Sequence, residues 1–266
     1  MSIAFYLTRS VRTIEHYLIY IECIESIKNT YPNAPIIVIR DNETLDFKYL
    51  EIDEHDGDNI YYIDSEFNGA AESLRFYYYW KINTFRDQYS YIPATDYAIC
   101  MHESMFIHTP IKLNHVDNYG YEDFFTAIPD WNIPEDELAM IDIVPKNNEI
   151  LKKTYYDNSK WHTNFGACSV ITYDFICKVN NQFNIFTDEF LSAIKTHEQR
   201  VALERIWGLM FACINYNVNT IYGDINVYHG WMVQRFKLKK DFNYEFYCKH
   251  KEYYNNFPII KCWVGR

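Results

Sequence analysis

The triplet His102-Glu103-Ser104 stands directly behind the apolar run 97–101. A carboxylate and an imidazole at the end of a buried strand are suitable ligands for Mn²⁺ or Mg²⁺, and a substrate phosphate would supply further oxygen ligands. His229 would complete such a metal site from the C-terminal part of the chain. The alternative is that Glu103 caps a turn and that both histidines have structural roles.

Two glutamates on one predicted helix, Glu198 and Glu204, are candidate general bases. A carboxylate can accept the proton of a hydroxyl group that lies within hydrogen-bond distance of it. Arg200 and Arg205 lie beside them in the sequence, so both glutamates could instead form solvated ion pairs along the helix. The sequence leaves both interpretations open.

Further candidate residues follow the ends of predicted strands. Asp41 follows the second strand, where a carboxylate can accept hydrogen bonds from a base or a ribose, or can cap the next turn. The segment 67–72 opens a helix with the small residues Gly69 and Ala70, which lets a phosphate approach the backbone N–H groups. Small residues occur again within the segment 165–167, at Gly166 and Ala167. It contains neither a GxGxxG motif nor a P-loop, so those two nucleotide-binding folds are not supported.

The predicted elements that position these residues alternate between strands and helices. Short apolar runs predict buried strands at 3–7, 36–39, 60–63 and 97–101. Apolar residues at helical spacing predict helices at 14–27 and 70–85. This order predicts a doubly wound α/β fold with a mostly parallel central sheet, in which ligands bind at the carboxyl ends of the strands.

The alternation loosens after residue 110. The stretch 117–160 has several prolines and many acidic and Asn residues, which predicts loops and short elements. A strand is predicted over 165–172 and a second strong helix over 203–214. Because no repeat, linker or change of composition divides the chain, we expect a single domain over 1–266.

Composition limits the classes of partner. The net charge of −11 argues against nucleic acid and against anionic membrane surfaces. Seven cysteines without a CxxC pair predict buried free thiols in a reducing compartment, and we see neither a signal peptide nor a membrane span, so we expect a cytoplasmic protein. Aromatic residues make up 18% of the chain, which suits sugar stacking or simply reflects a compositional bias, since the tyrosines are spread throughout.

The order of these signals resembles nucleotide-sugar glycosyltransferases of the GT-A fold, and in particular the small ones encoded by large DNA viruses of algae and amoebae. The resemblance spans about residues 3 to 226. It is carried by Arg12…Glu15-His16-Tyr17, Tyr31-Pro32-Asn33, Ile39-Arg40-Asp41-Asn42, Phe67-Asn68-Gly69-Ala70-Ala71-Glu72, Met101-His102-Glu103-Ser104-Met105-Phe106, His162 to Ser169, and Ala202-Leu203-Glu204-Arg205.

The resemblance implies a nucleoside-diphosphate sugar donor, UDP-linked by family habit, and a glycan or glycoprotein acceptor. The half at about 1–110 would bind the nucleotide and the half at about 111–266 the sugar and the acceptor. The residues implied in donor binding are Thr8, Arg9, Asp41, Asn68, Gly69, Ala70, Arg75, His102, Phe165 and Gly166.

The triplet His102-Glu103-Ser104 falls where the family has an Asp-x-Asp motif, and it departs from that motif at both outer positions. A divalent metal would therefore be bound weakly, be held by Glu103 with His229, or be replaced by Arg9 or Arg75 at the diphosphate. The resemblance implies an inverting displacement with Glu198 or Glu204 as the base, and it does not decide between the two.

Two other functions compete with this one. A nucleotidyltransferase also uses a nucleotide-binding α/β sheet, but residues 8–20 lack the Gly and Lys of its usual phosphate loop. A non-catalytic, carbohydrate-binding relative is favoured by the altered triplet at 102–104. Release of a nucleoside diphosphate from a donor sugar would exclude the second alternative.

Overall fold

The computed structural model describes residues 2–43, 59–127, 133–228 and 243–262. The strands in these ranges are β1 (Ile3–Arg9), β2 (Ile36–Arg40), β3 (Ile60–Asp64), β4 (Tyr97–His102), β5 (Met105–Ile107), β6 (Tyr121–Asp123), β7 (Ser169–Thr172) and β8 (Ile259–Lys261). The helices are α1 (Ile14–Thr30), α2 (Glu72–Thr84), α3 (Val116–Tyr119), α4 (Pro134–Asp142), α5 (Asn148–Tyr155), α6 (Tyr173–Phe183), α7 (Asp188–Ala193), α8 (His197–Asn215), α9 (Tyr244–Lys249) and α10 (Lys251–Tyr254).

Six strands form one sheet in the order β3-β2-β1-β4-β7-β6, and β5 and β8 form a small second sheet. The pairs β1–β2, β1–β4 and β2–β3 are parallel, whereas β7 pairs antiparallel with both β4 and β6. The predicted mostly parallel α/β sheet is therefore confirmed, with antiparallel strands at one edge.

Helices α1 and α2 cover opposite faces of the sheet because side chains of β1 alternate between the two sides. Phe5 and Leu7 belong to the buried cluster that contains α1, and Ala4 and Tyr6 belong to the cluster that contains α2. All four are fully buried. The sheet is thus doubly wound, as the β-branched and apolar runs predict.

The strand order reverses at β1, which has β2 on one side and β4 on the other. Thr8 pairs with His102 and Arg9 pairs with Arg40, so the three strands end at the same level. In open α/β sheets a crevice forms at such a reversal, outside the carboxyl ends of the strands. This places the triplet at 102–104 at the crevice.

The region predicted as a strand over 165–172 is only partly a strand. Phe165–Ala167 forms a 3₁₀ turn, in which Gly166 and Ala167 have φ of 63° and 46°, and β7 begins at Ser169. Left-handed backbone interrupts the extended conformation that a strand needs. The short elements predicted over 117–160 are present as β6, α4 and α5.

None of the described helices combines the length and the apolarity that crossing a membrane requires. The seven cysteines are free thiols, and Cys23, Cys100, Cys168 and Cys262 are buried. Their predicted state is therefore confirmed for these four.

Helix α8 is held close to the chain segment that precedes the 3₁₀ turn. Its first turn carries a capping box between Thr196 and Gln199, and Trp207 donates to Ser73 Oγ of α2 at 3.0 Å. Gly208 faces the backbone of His162 and Asn164 so closely that a Cβ atom would overlap the His162 carbonyl oxygen. The absence of a side chain at Gly208 allows this approach.

Replacing Gly208 with Ala should lower the free energy of unfolding by about 2 to 4 kcal/mol, because the new methyl group must displace backbone. Helix propensity alone would favour Ala at this position. Ser192→Ala, at an exposed position of helix α7, is the control. Denaturant unfolding of both variants measures the difference, and a Gly208→Ala protein as stable as the wild type would contradict the contact.

Candidate active site

One group of predicted residues lies where β1 and β2 end. The Asp41 carboxylate accepts hydrogen bonds from the backbone N–H of Gly69 at 2.7 Å and of Ala71 at 3.2 Å. Thr8 Oγ1 donates to the Ala71 carbonyl at 3.0 Å. Asp41 and Thr8 therefore hold the 69–71 loop at the crevice, and burial raises the pKa of Asp41.

The 69–71 loop has an unusual backbone that these contacts stabilise. Gly69 has φ of 92° and Ala71, which precedes α2, has φ of 42°. A positive φ is unfavourable for a residue with a Cβ atom, and such residues concentrate at functional sites. Ala70 is fully buried, and Asn68 is exposed beside it. The loop is the part of the crevice best placed to meet a phosphate.

Arg9 is bound by protein groups. Its guanidinium forms two hydrogen bonds to Glu43, at 2.5 and 2.9 Å, and lies over the rings of Tyr20 and Tyr62 at 5.0 and 5.5 Å. The side chain is fully buried. The structure thus places Arg9 at the crevice with its charge already balanced by a carboxylate.

A second group of predicted residues surrounds Gly166. Arg75 Nη2 donates to the Gly166 carbonyl at 2.5 Å, and Arg75 Nη1 lies 3.6 Å from Cys168 Sγ. The His102 ring packs on the other side, where a Cβ at Gly166 would lie 2.5 Å from Nε2. Phe165 is buried next to this contact. His102, Arg75 and Gly166 therefore lie in contact, and the Arg75 guanidinium is hydrogen-bonded to the backbone.

Two partly buried carboxyl groups with raised pKa values lie beside His102 and Gly166. Burial and the nearby Glu72 carboxylate raise the pKa of Glu204 to about 8, although Arg205, a hydrogen bond from Gly166 N–H and Lys261 oppose the shift. Burial also raises the pKa of Glu72, whose Oε1 lies 3.9 Å from His102 Nε2. Within the described residues, Glu72 Oε2 has no hydrogen-bond partner. Such a pair is typical of acid–base sites.

Glu198, the other candidate base, lies outside this cluster. It is exposed in the first turn of α8. Its own backbone N–H and Thr196 lower its pKa, as expected for a carboxylate at a helix N-terminus. The structure therefore separates the two glutamates that the sequence left equivalent.

The predicted metal ligands fit a divalent cation poorly. Ser104 Oγ accepts a hydrogen bond from the ammonium of Lys261, and His102 Nε2 faces Gly166 and Glu72. No group of three potential ligands forms among the residues that the structure describes. His229 lies outside the described residues, so its role stays a prediction. A cation adjacent to the donor set opposes binding of Mn²⁺ or Mg²⁺.

Several buried polar atoms near the crevice have no hydrogen-bond partner in the described parts of the chain. They are Asn164 Nδ2 and Oδ1, Ser169 Oγ and Asp123 Oδ1. Asn164 precedes Phe165, and its N–H donates to the Glu204 carbonyl at 3.1 Å. Buried polar groups are normally hydrogen-bonded, so these atoms are unusual positions in the structure.

Sequence reasoning did not single out Glu72, Asn164 or Lys261 as site residues. Glu72 directly follows the small residues of the 67–72 segment, which was a usable signal. Lys261 is one charge inside the apolar run 259–263, and a lone charge in a strand-like run marks a buried polar contact. Asn164 carries no comparable pattern.

An aromatic cavity of about 630 Å³ opens beside the C-terminal part of the described chain. Tyr222, Tyr228, Tyr253 and Phe257 line it, with neighbouring ring centroids 6.0 to 6.4 Å apart, and Asp224 and Asn256 add polar groups. The faces of tyrosine rings bind the apolar faces of sugars while their hydroxyl groups stay polar. The chemistry of this cavity suits a carbohydrate ring.

The cavity and Gly166 are connected through the segment 123–126. Phe165 N–H donates to the Phe125 carbonyl at 3.0 Å, and on the other side Tyr222 N–H donates to the Phe124 carbonyl at 2.9 Å. The backbones at Phe165 and Tyr222 are thus two strand spacings apart, which corresponds to about 10 Å. A ligand of more than one sugar unit is long enough to bridge this distance.

Glu204→Gln should change how stability depends on pH. The folded state keeps the Glu204 proton up to about pH 8, whereas the unfolded state releases it near 4.5, so the free energy of unfolding falls as pH rises between these values. The Gln variant should lose this slope and gain about 4 kcal/mol at pH 8 relative to the wild type, since each pKa unit corresponds to about 1.4 kcal/mol. Glu189→Gln, on an exposed position, is the control. Urea unfolding of both proteins across this pH range checks the prediction. If the free energy of unfolding changes with pH equally in the wild type and in Glu204→Gln, the raised pKa of Glu204 is contradicted.

In the comparisons with known proteins, the chain matches solved structures only. No protein-family model matches the sequence, and no curated protein matches it. Galactosyltransferase LgtC in complex with donor and acceptor sugar analogs is 12% identical, with a TM-score of 0.39 over 78% of this chain and 70% of that chain. An active-site mutant of LgtC is 10% identical, with a TM-score of 0.43 over 100% and 88%.

S. aureus TarS 1-349 is 12% identical, with a TM-score of 0.40 over 89% of this chain and 64% of that chain. This chain thus spans less than two thirds of the length of that TarS structure. TM-scores this low do not establish a common fold, so the case for a function rests on the residues of this chain.

Proposed function

We propose that this protein is a glycosyltransferase that moves a sugar from a nucleoside-diphosphate donor to a glycan acceptor. The observation that carries the proposal is the pair of partly buried carboxyl groups with raised pKa values, Glu72 beside His102 and Glu204 beside Gly166. They lie at the crevice where a doubly wound sheet binds its ligand.

The donor nucleotide, UDP by the family resemblance, would lie along the ends of β1 and β2. Asp41 and Thr8 support this placement indirectly. Their polar atoms form hydrogen bonds that hold the 69–71 loop, so they position the loop and do not bind the nucleobase themselves. Backbone groups of the loop, with the small Gly69 and Ala70, would then face the diphosphate. The donor sugar would extend toward His102 and Gly166.

Glu204 would act as the general base. The acceptor hydroxyl gives its proton to the Glu204 carboxylate, and its oxygen forms a bond to the anomeric carbon. The bond between that carbon and the diphosphate oxygen breaks at the same time, and its electron pair leaves with the nucleoside diphosphate. Such a direct displacement inverts the anomeric centre. A base with a pKa near the working pH transfers protons efficiently.

The aromatic cavity supports a glycan as the acceptor. Its tyrosine faces would bind one sugar of the acceptor while the terminal sugar reaches Glu204 across the 123–126 segment. Burial raises the pKa of Tyr228 to about 12, so its hydroxyl stays protonated and continues to donate to the Ile259 carbonyl at 2.9 Å.

The proposal predicts that the protein releases a nucleoside diphosphate from one of its nucleotide sugars. A panel of UDP-, GDP- and dTDP-linked sugars, screened for release of the free nucleoside diphosphate, identifies the donor. Glu204→Gln should then lower kcat about 100-fold or more, since it removes the base. Glu198→Gln should stay within about twofold of the wild type, because Glu198 is exposed outside the cluster.

Wild-type rates in both variants would show that neither glutamate is the base. Binding of a nucleotide without any turnover would favour the non-catalytic, carbohydrate-binding alternative. Thermal shifts with the same panel separate these outcomes, because a ligand that binds only the folded protein raises its Tm.

The role of the cavity is tested by Tyr253→Ala. Loss of one stacking ring should raise the acceptor KM about tenfold, which corresponds to about 1.4 kcal/mol, and should leave donor hydrolysis in the absence of acceptor unchanged. Tyr156→Ala is the matched control, because Tyr156 is 72% exposed and does not line the cavity. A glycan array identifies the acceptor used in the assay. An unchanged acceptor KM in Tyr253→Ala would place acceptor binding elsewhere.

A further inference from the structure

His162 and Asp123 form a hydrogen-bonded pair to which the proposed reaction gives no role. His162 Nε2 lies 3.1 Å from Asp123 Oδ2. The Asp123 side chain is 1% exposed and the His162 side chain is 16% exposed, so the carboxylate is buried and the ring is partly accessible to solvent. In the part of the chain that the structure describes, Asp123 Oδ1 has no hydrogen-bond partner. The pairing with His162 therefore does most to hold this buried carboxylate.

The pairing also determines which nitrogen of His162 can meet a ligand. A carboxylate accepts hydrogen bonds, so the neutral ring carries its hydrogen on Nε2 and donates it to Asp123. Nδ1 then has a lone pair that can accept a hydrogen bond. No group within the described ranges is hydrogen-bonded to Nδ1. Burial raises the pKa of Asp123, and the hydrogen bond with His162 opposes this shift, so the ring stabilises the charged carboxylate.

Asp123 is the last residue of β6 and lies at the crevice edge of the main sheet. Strand β6 pairs antiparallel with β7, and β7 pairs antiparallel with β4, so β6 and β4 run in the same direction and their carboxyl ends lie at one edge. Asp123 is opposite Ser169, which is opposite Cys100 on its other side. Cys100 belongs to the buried cluster that contains α2 and α8. Side chains opposite each other share a face, so the Asp123 carboxylate faces those helices.

His162 lies close to the candidate base. Gly208 of α8 faces the His162 carbonyl oxygen. Asn164 N–H donates to the Glu204 carbonyl, in the preceding turn of the same helix, at 3.1 Å. The segment 162–164 thus runs along one side of α8, and four helical residues correspond to about 6 Å. His162 and Glu204 are therefore on the same face of the sheet and about one helical turn apart.

The acceptor path of the proposed function passes this pair. The path leads from the aromatic cavity across the 123–126 segment to Glu204, and Asp123 is the first residue of that segment. The Glu204 carboxylate receives the proton of one acceptor hydroxyl group only. Other hydroxyl groups of the same sugar need partners if the ring is to stay in a reactive orientation. A ring nitrogen that accepts hydrogen bonds, one turn of α8 away, is suited to that task.

We infer that His162 binds a second hydroxyl group of the acceptor sugar, with Nδ1 as the hydrogen-bond acceptor, and that Asp123 holds the ring in place. The inference rests on the proposed function and assigns a specificity-determining residue to its acceptor site. An acceptor that lacks this hydroxyl group leaves Nδ1 without a partner and is bound more weakly. The sugar transfer itself still uses Glu204 as the base.

Acceptor kinetics of two variants of His162 test this inference. Gln can keep the hydrogen bond to Asp123 but has no acceptor at the Nδ1 position, whereas Asn places its amide oxygen near that position. His162→Gln should raise the acceptor KM about tenfold, and His162→Asn should raise it only about threefold. Donor hydrolysis without acceptor should stay within about twofold of the wild type in both variants. His197→Gln is the control, since His197 is exposed in the first turn of α8.

Chemical modification of the wild-type protein is a second test that needs no variant. Diethyl pyrocarbonate acylates an accessible, unprotonated histidine nitrogen, which in His162 is Nδ1, and mass spectrometry locates the product. With nucleoside diphosphate present and acceptor at about ten times its Kd, modification of His162 should slow about tenfold, because only the acceptor-free protein reacts. Modification of His197 should not change.

The reverse order of the two variants, with the acceptor KM raised in His162→Asn and unchanged in His162→Gln, would assign His162 a structural role and overturn the inference. Equal rates of His162 modification with and without acceptor would overturn it as well. In both cases, release of nucleoside diphosphate by the wild type leaves the proposed function standing. If the wild type releases no nucleoside diphosphate from any donor, the proposed function fails and the inference fails with it.

Discussion

The site is built around the close approach of Gly166 to its neighbours. Its N–H interacts with Glu204, its carbonyl accepts from Arg75 at 2.5 Å, and its open side lies against the His102 ring. Its φ of 63° brings these three directions together, and only a residue without Cβ leaves space for the ring. One backbone position thereby links α2, β4 and α8, which carry Arg75, His102 and Glu204 respectively.

Electrostatic pairing explains why so many charges are buried in an acidic protein. Arg9 pairs with Glu43, and Arg205 pairs with Glu137 at 2.9 Å with both side chains buried. Such pairs add little net stability but make their partners hard to replace. They also hold those two arginines in contacts within the protein.

The sheet could be predicted from sequence because its strands are short, buried and β-branched, and local patterns such as 36–39 report burial directly. The site was harder to predict because its partners are distant in sequence. The β5–β8 pair joins residues more than 150 positions apart, and nothing near Lys261 indicates that its partner is Ser104. Glu198 and Glu204 look alike in sequence, since their separation depends on how deeply α8 packs.

The environment of Glu204 explains why one carboxyl group of α8, and not the other, is suited to act as a base. Burial and the Glu72 carboxylate raise the pKa of Glu204 to about 8, although Arg205 and the Gly166 N–H oppose the shift. Glu198 is exposed in the first turn of the same helix, where backbone N–H groups stabilise its charged form and lower its pKa. A carboxylate with a raised pKa is a stronger base than one stabilised in this way, so the depth at which α8 packs distinguishes the two glutamates.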